Sequence, residues 1–156
     1  MNLKGLEDSL NEISKELKSI EERREKILKE SRDVISFSAK AIVDLHTGRM
    51  KEAKDYLKSA STLLAELRKA ALGELYRYLI QPEAEYVEAS TLYAVASTGK
   101  FPRCEELGVS GAAYLLGLLD AVGEIKRRVY DTIREGRSEE AASLFSLMEQ
   151  IYTHIS

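Results

Sequence analysis

Two pairs of acidic residues at helical spacing are the side chains in this sequence best suited to chemistry. Glu85 and Glu88 are three positions apart on one predicted helix. Asp120 and Glu124 are four positions apart on another. Residues at these spacings share a helix face. The first pair continues the apolar seam of its own helix, where burying an unpaired carboxylate is costly. A bound cation is the simplest compensation.

Four carboxylates on two packed helices would suit Mg²⁺ or Mn²⁺, which take oxygen ligands in octahedral geometry. Such an ion can stabilise an in-line phosphoryl displacement and activate a water molecule. A second explanation remains open, and spacing alone favours it: all four acids form salt bridges with lysines and arginines. The chain has only two histidines, so a histidine acid–base pair is a poor fit. We interpret His46, at a predicted helix end, as a capping or packing residue.

The elements that must position these acids are predicted to be helices. Helix-favouring residues dominate and only two prolines occur. The first segment, residues 2–46, is periodic enough for one very long helix or two nearly collinear ones. At ~1.5 Å per residue it would be about 60 Å long, more than the width of a small domain. Part of its apolar stripe is therefore expected to meet another subunit. The stripe begins with Leu3, Leu6, Leu10, Ile13, Leu17 and Ile20.

Further helices are predicted over residues 50–72, 74–80, 82–97, 110–135 and 139–154, with a loop or short helical turn at 104–108. Ser110 and Ser138 are the predicted N-caps of the last two helices. A stripe of small residues, Ala113, Gly117 and Ala121, predicts close helix packing that could bring the two acid pairs together. The chain is thus expected to be one all-α domain over residues 1–156, a size suited to a single core.

Composition excludes several protein classes. The chain is 44% hydrophobic and 31% charged, which fits neither a disordered nor a membrane protein. The longest apolar stretch, residues 112–119, is too short to cross a bilayer. No signal peptide is recognisable at the N-terminus. A single cysteine fits a reducing compartment, so we expect a cytoplasmic protein. The net charge of −3 argues against a free-standing nucleic-acid binder.

Three segments resemble the translin/TRAX family. Residues 24–46, with a Ser-Arg-Asp step, a Ser-x-Lys step and a final Leu-His, are similar to its N-terminal signature. Residues 85–89 resemble the TRAX segment that supplies two catalytic glutamates. Residues 114–124 resemble the TRAX segment that supplies the catalytic aspartate. The three motifs occur in the family's order and span most of the chain.

The resemblance implies a translin-like bundle of about six to seven helices that assembles into a closed, hollow octamer with RNA handled inside. It also implies that Glu85, Glu88 and Asp120 are catalytic metal ligands, with Glu124 as a fourth. TRAX-type subunits are Mg²⁺-dependent endoribonucleases, whereas translin mainly binds nucleic acid. Because the full acid set is present, the chain is more TRAX-like. It is shorter than eukaryotic members, which suggests a prokaryotic or archaeal-type homo-oligomer.

RNA binding would require cations for the phosphates. The expected partner is single-stranded or short duplex RNA, with single-stranded DNA as a further ligand. Salt bridges on solvated helix faces would explain the same cations without RNA, whereas a locally basic chamber would reconcile RNA binding with the negative net charge. Two other functions remain open: a non-catalytic, translin-like binder and a helical scaffold without nucleic acid. The candidate RNA-binding residues are Arg23, Arg24, Lys26, Arg32, Lys40, Arg127, Arg128 and Arg134.

Overall fold

A computed structural model describes residues 2–156, most of which lie in helices. Met1, part of the predicted domain, lies outside the described residues. The all-α prediction is confirmed. A 3₁₀ helix, Gly73–Leu79, precedes the third α-helix. The α-helices are α1 (Lys4–His46), α2 (Met50–Ala70), α3 (Ile80–Thr98), α4 (Cys104–Leu107), α5 (Gly111–Arg134) and α6 (Ser138–Ile155).

The long first helix is continuous, and its two halves have different surroundings. Its 43 residues correspond to about 64 Å of helix. The C-terminal half packs against α2 and α3. Residues 2–19 are exposed on every side, so the helix extends beyond the body of the domain. The core begins near Ile20. The fully buried aliphatic residues of this core include Ile27, Val34, Leu64, Leu67 and Leu79.

Helices α3 and α5 approach each other closely at a glycine, as the small-residue stripe predicts. A Cβ atom on Gly117 would lie 2.5 Å from the Ala84 carbonyl oxygen and 2.5 Å from the Val87 Cβ. No real side chain fits in that space. Ala113 and Ala121, one turn to either side, are also completely buried. Helix α5 therefore lies directly against α3, and the two elements that carry the acid pairs are neighbours.

Local predictions were correct at one cap and wrong at the other. The Ser110 hydroxyl accepts a hydrogen bond from the Ala113 amide, as expected of an N-cap. Ser138 is already inside α6, and Arg137 occupies the cap position. The difference follows from the turn, where Gly136 takes a φ of +75° and the helix resumes two residues later. Within residues 2–156, no helix is long and apolar enough to cross a membrane.

Candidate functional site

The four predicted acids form a group centred on Glu88, here called the carboxylate cluster. Glu88 lies on α3, where its side chain is half-buried. Burial, followed by the charges of Glu85, Asp120 and Glu124, raises the pKa of Glu88 from 4.5 to about 7, against a smaller lowering by Arg127. Like charges shift a pKa in this way only at short range. The close α3–α5 packing thus brings the two acid pairs into mutual electrostatic contact.

Two members of the carboxylate cluster are open to solvent or bound to a neighbour on their own helix. Glu85 is partly exposed, and its carboxylate accepts a 2.9 Å hydrogen bond from the Gln81 side-chain amide. Asp120 is exposed on α5. Neither side chain forms a salt bridge within residues 2–156.

Glu124 is largely buried, and its carboxylate contacts a histidine and an arginine. Only 12% of its side chain is exposed. Its Oε1 lies 2.6 Å from Nε2 of His46 and 3.1 Å from a guanidinium nitrogen of Arg127. His46 thus belongs to the site and does more than cap α1. The sequence interpretation missed this contact because it joins the end of α1 to the middle of α5.

A fifth glutamate on the same helix has a structural role that the sequence did not reveal. Glu83 is completely buried, and its charge is balanced by Arg68, whose Nε donates a 2.9 Å hydrogen bond. The hydroxyl of Tyr76 and the amide of Ser110 donate further bonds of 2.9 and 3.1 Å. The network ties α2, the 3₁₀ helix, α3 and the start of α5 together. It fixes the position of the helix that carries Glu85 and Glu88.

The carboxylate cluster contains the donor atoms that a divalent cation favours, but these atoms are not arranged around a common point. Within residues 2–156, no three His, Cys, Asp or Glu side chains stand in an arrangement that could hold a metal ion directly. Glu85 and Glu124 are turned toward Gln81 and toward His46 and Arg127, respectively. The donor set nonetheless fits Mg²⁺ or Mn²⁺, which favour carboxylate oxygens. A divalent ion would also relieve the repulsion that raises the pKa of Glu88.

A cavity of about 370 Å³ adjoins the carboxylate cluster. Its polar lining residues are Glu124, His46, Arg128 and Glu140, and the last two form a salt bridge of 3.6 Å. The rest of its wall is largely apolar. A substrate group could therefore approach Glu124 from this side with a cation close by. The apolar wall is formed by Ile42, Leu45, Met50, Leu92, Val95, Ala96, Ile125 and Leu144.

The predicted RNA-binding cations fall into three locations. Arg127, Arg128 and Arg134 all lie on α5, each within reach of an acid. Lys40 lies over the Tyr56 ring at 5.6 Å. The remaining cations lie nearer the start of α1, more than two helical turns from Lys40. They are Arg23, Arg24, Lys26 and Arg32.

Among the cations of α1, Arg24 belongs to a built arrangement. Its Nε donates to the Tyr78 hydroxyl at 3.2 Å, and Arg77 donates to the same oxygen at 3.1 Å. The two guanidinium groups also lie 5.5 and 5.0 Å from the ring centre. These contacts lower the pKa of Tyr78. Arg24 and Arg77 line a cavity of about 460 Å³, and Arg23 lines it as well. Three arginines therefore surround one opening.

With this geometry in place, comparison with known proteins identifies the family. The model of the translin family matches residues 22–156. The chain belongs to the translin family. An uncharacterized protein of Methanocaldococcus jannaschii is 34% identical over 84 residues. That match covers 53% of this chain and 38% of the length of the relative.

Solved translin-like structures share the fold over nearly the whole chain. Apo-NeC3PO is 26% identical with a TM-score of 0.86, and the match covers 93% of this chain and 79% of that one. AfC3PO in complex with duplex RNA is 31% identical with a TM-score of 0.85, and AfC3PO alone is 32% identical with a TM-score of 0.83. Each of these two matches covers 94% of this chain and 78% of the other.

The translin-family match includes most of this chain but not the start of α1. Residues 22–156 include the whole carboxylate cluster and His46. The exposed start of α1 precedes the matched region. The family assignment therefore applies to the helical body and its acids, and it does not explain the apolar stripe at the start of α1.

Proposed function

We propose that this translin-family chain binds RNA and cleaves it as a metal-dependent endoribonuclease, inside a closed homo-oligomer of octameric type. One observation carries the proposal: three further carboxylates, two of them from a second helix, lie close enough to the half-buried Glu88 to raise its pKa. Helix packing brings these like charges together against their mutual repulsion, and a bound cation would offset that repulsion. The complete acid set supports a TRAX-like, cleaving subunit over a subunit that only binds.

The residues of the site would have distinct roles. Glu85, Glu88 and Asp120 would hold Mg²⁺ or Mn²⁺, with Glu124 as a further ligand. When bound, the cation supplies an activated water and offsets charge that develops on the phosphoryl oxygens. His46 orients Glu124 through the 2.6 Å contact between Nε2 and Oε1. Arg127 stands beside the carboxylate cluster, where its charge suits a phosphate.

RNA as the substrate is supported by the cations and by a structural relative. Arg127, Arg128 and Arg134 extend from the carboxylate cluster along α5. Arg23, Arg24 and Arg77 surround a separate opening. The structure of AfC3PO, which is 31% identical, was determined with duplex RNA. A net charge of −3 is compatible with RNA binding if these cations face one enclosed chamber of the oligomer.

The decisive experiment is cleavage of end-labelled RNA, single-stranded and short duplex, with Mg²⁺ or with a chelator. Glu88→Ala and Asp120→Ala should each reduce cleavage by more than ~100-fold, since even outer partners of metal ligands are worth 10–100-fold. RNA binding should be retained. Asp131 is an exposed acid on α5, the helix of Asp120, so Asp131→Ala is the matched control and should cleave normally. Persistent cleavage by the Glu88→Ala, Asp120→Ala double variant would exclude this mechanism.

A second function, a non-catalytic binder of single-stranded RNA or DNA, is favoured by one observation. Glu124 is held by His46 and Arg127, and no ready-made metal geometry exists within residues 2–156. A binder would use the same cations without chemistry. Retention of RNA and of single-stranded DNA without any Mg²⁺-dependent or Mn²⁺-dependent product would establish this function. No retention even at low salt, where phosphate contacts are strongest, would indicate a helical scaffold.

A further inference from the structure

The exposed start of α1 carries an apolar ridge that no part of its own chain covers. The ridge consists of Leu3, Leu6, Leu10, Ile13 and Leu17, each 50–60% exposed. Their spacing of three, four, three and four residues is the heptad repeat of a helix that packs lengthwise against a partner. An uncovered row of five large aliphatic side chains is typical of an interaction surface.

The residues that flank the ridge indicate the charge of its partner. Heptad positions beside the seam are occupied by Glu7, Glu16 and Glu21, and otherwise by Asn2, Ser9 and Ser14. No basic residue flanks the ridge through residue 21. Two ridges paired with each other could therefore form no attractive charge pair, and a parallel pair would place Glu16 opposite Glu21 of the other copy. The partner surface should be apolar with a basic rim.

The same chain carries such a surface elsewhere, here called the lysine groove. It is an opening of about 700 Å³ between α2, α3 and the segment around α4. Its rim includes Lys51, Lys54 and Lys58, which make no salt bridge within residues 2–156. Asp55 is the one acid among its lining residues. The apolar residues that line the groove are Leu57, Tyr86, Tyr93, Ala94, Pro102 and Leu107.

Two further features of the lysine groove are relevant to a docked helix. Ser90 lines it and is nearly buried, yet the Ser90 hydroxyl has no hydrogen-bond partner among the described residues. The dimensions also agree, since Lys51 to Lys58 spans about 10 Å of helix and Glu7 to Glu16 about 13 Å. A helix of similar length could therefore lie along the groove with its acids near the lysines.

The ridge cannot reach the groove of its own chain. Helices α1 and α2 are joined by a three-residue turn and run antiparallel, so the first half of α2 lies beside the last part of α1. Contacts of Tyr56 with Phe37 and Lys40 show this pairing. The ridge lies at the opposite end of the rigid α1. A ridge that occupies the groove must therefore come from a different molecule.

We propose that the ridge at the start of α1 docks into the lysine groove of a second copy of this chain. This inference rests on the homo-oligomeric part of the proposed function and specifies its interface. The contact is heterologous, because each copy offers a ridge on one side and a groove on another. Such contacts continue from copy to copy until the assembly closes. A closed shell of subunits requires a contact of this kind or several isologous ones.

The test is the molar mass of the purified chain, measured by light scattering without RNA or metal. Leu10→Asp combined with Ile13→Asp should reduce the mass to that of a smaller assembly or a monomer. Lys54→Glu combined with Lys58→Glu should have the same effect. Val43→Asp, also exposed on α1, and Lys69→Glu, also on α2, are matched controls and should keep the wild-type mass.

Charge reversal on both sides separates docking from misfolding. Adding Glu7→Lys and Glu16→Lys to the Lys54→Glu, Lys58→Glu variant should restore the assembly. A zero-length crosslinker should join Glu7 or Glu16 to a lysine of the groove in the wild-type chain. A monomeric wild type, no rescue, or crosslinks confined to paired α1 helices would overturn the proposal. Lost RNA binding with unchanged mass in the lysine variant would also overturn it and assign the groove to RNA. None of these results depends on cleavage.

Discussion

At the residue scale, neighbouring glutamates of α3 differ in their burial and in whether a cation balances their charge. Glu83 is completely buried and charge-balanced by Arg68. Glu88, little more than one turn further along, is half-buried among like charges, which together with burial raise its pKa to about 7. A buried acid whose charge is balanced stabilises the position of its helix. An acid among like charges would instead be stabilised by a bound cation. The two side chains thus differ in whether a cation of the chain balances their charge.

The raised pKa of Glu88 predicts an unusual pH dependence of stability. The folded chain binds this proton more tightly than the unfolded chain, so the contribution of Glu88 to stability is fully present below about pH 4.5 and is lost as pH rises through about 7. Allowing for solvent screening of a half-exposed group, the loss is about 1–2 kcal/mol. Glu88→Gln should therefore be more stable than wild type by that amount at pH 8, and nearly equal at pH 4.5.

Urea unfolding with a chelator present measures this difference. Glu149→Gln, on an exposed surface of α6, serves as the control and should leave the pH dependence unchanged. Equal stabilities of the Glu88→Gln variant and wild type at pH 8 would show that the like charges around Glu88 are screened by solvent.

His46 should act on the site through Glu124. Removal of a partner that orients a metal-binding side chain typically lowers metal affinity by ~10–100-fold. We expect His46→Ala to weaken Mn²⁺ binding by that factor, as measured by calorimetry, with little change in the helical circular dichroism. His154→Ala, at the end of α6, is the matched control. If both variants bind Mn²⁺ as tightly as wild type, the contact between His46 and Glu124 does not contribute to Mn²⁺ affinity.

At the element scale, the site depends on the contact between α3 and α5. Gly117 permits this contact because its hydrogen faces Ala84 and Val87 at distances that no Cβ could occupy. The Glu83 network anchors the start of α5 through the amide of Ser110. Backbone packing therefore places Asp120 and Glu124 opposite Glu85 and Glu88, and the acids themselves contribute repulsion.

Substitutions of two glycines on α5 test this contact. Gly117→Ala must push α5 away from α3, and we expect a loss of about 2–3 kcal/mol, in the range of core overpacking. Gly123→Ala meets nothing within 4 Å, so it should be neutral or stabilise the helix by up to ~1 kcal/mol. Thermal unfolding of both variants measures the difference. Similar melting temperatures would show that α5 shifts freely along α3.

At the scale of the whole molecule, a divalent cation should stabilise the folded chain, because the unfolded chain does not assemble the carboxylate cluster. At ~100 times the dissociation constant, binding adds about 2.7 kcal/mol. For a chain of this length that corresponds to a rise in melting temperature of roughly 5–10 °C.

Calorimetric melting with Mn²⁺ and with a chelator tests the rise. The Glu88→Gln, Asp120→Asn double variant should lose it, whereas Asp131→Asn should retain it. An equal rise in all three proteins would place the cation elsewhere.

Much of this protein could be predicted from its sequence, because local patterns determine helices. Apolar periodicity and glycine turns specified an all-α chain and most helix boundaries within a few residues. The small-residue stripe around Gly117 predicted which helices meet. The acids could be proposed as one group because each pair occupies a single helix face, and spacing within a helix is independent of the rest of the fold.

Contacts between distant segments were decided only by the tertiary structure. The bond between His46 and Glu124 joins residues 78 positions apart, and the pairing of Glu83 with Arg68 depends on how α2 meets α3. No periodicity distinguishes Glu83 from its acidic neighbours. Side-chain partners follow from packing in three dimensions, whereas helical faces follow from a repeat of 3.6 residues. The sequence therefore determined the helices and the acid pairs, and the tertiary structure decided which acid is balanced by an arginine and which one lies among like charges.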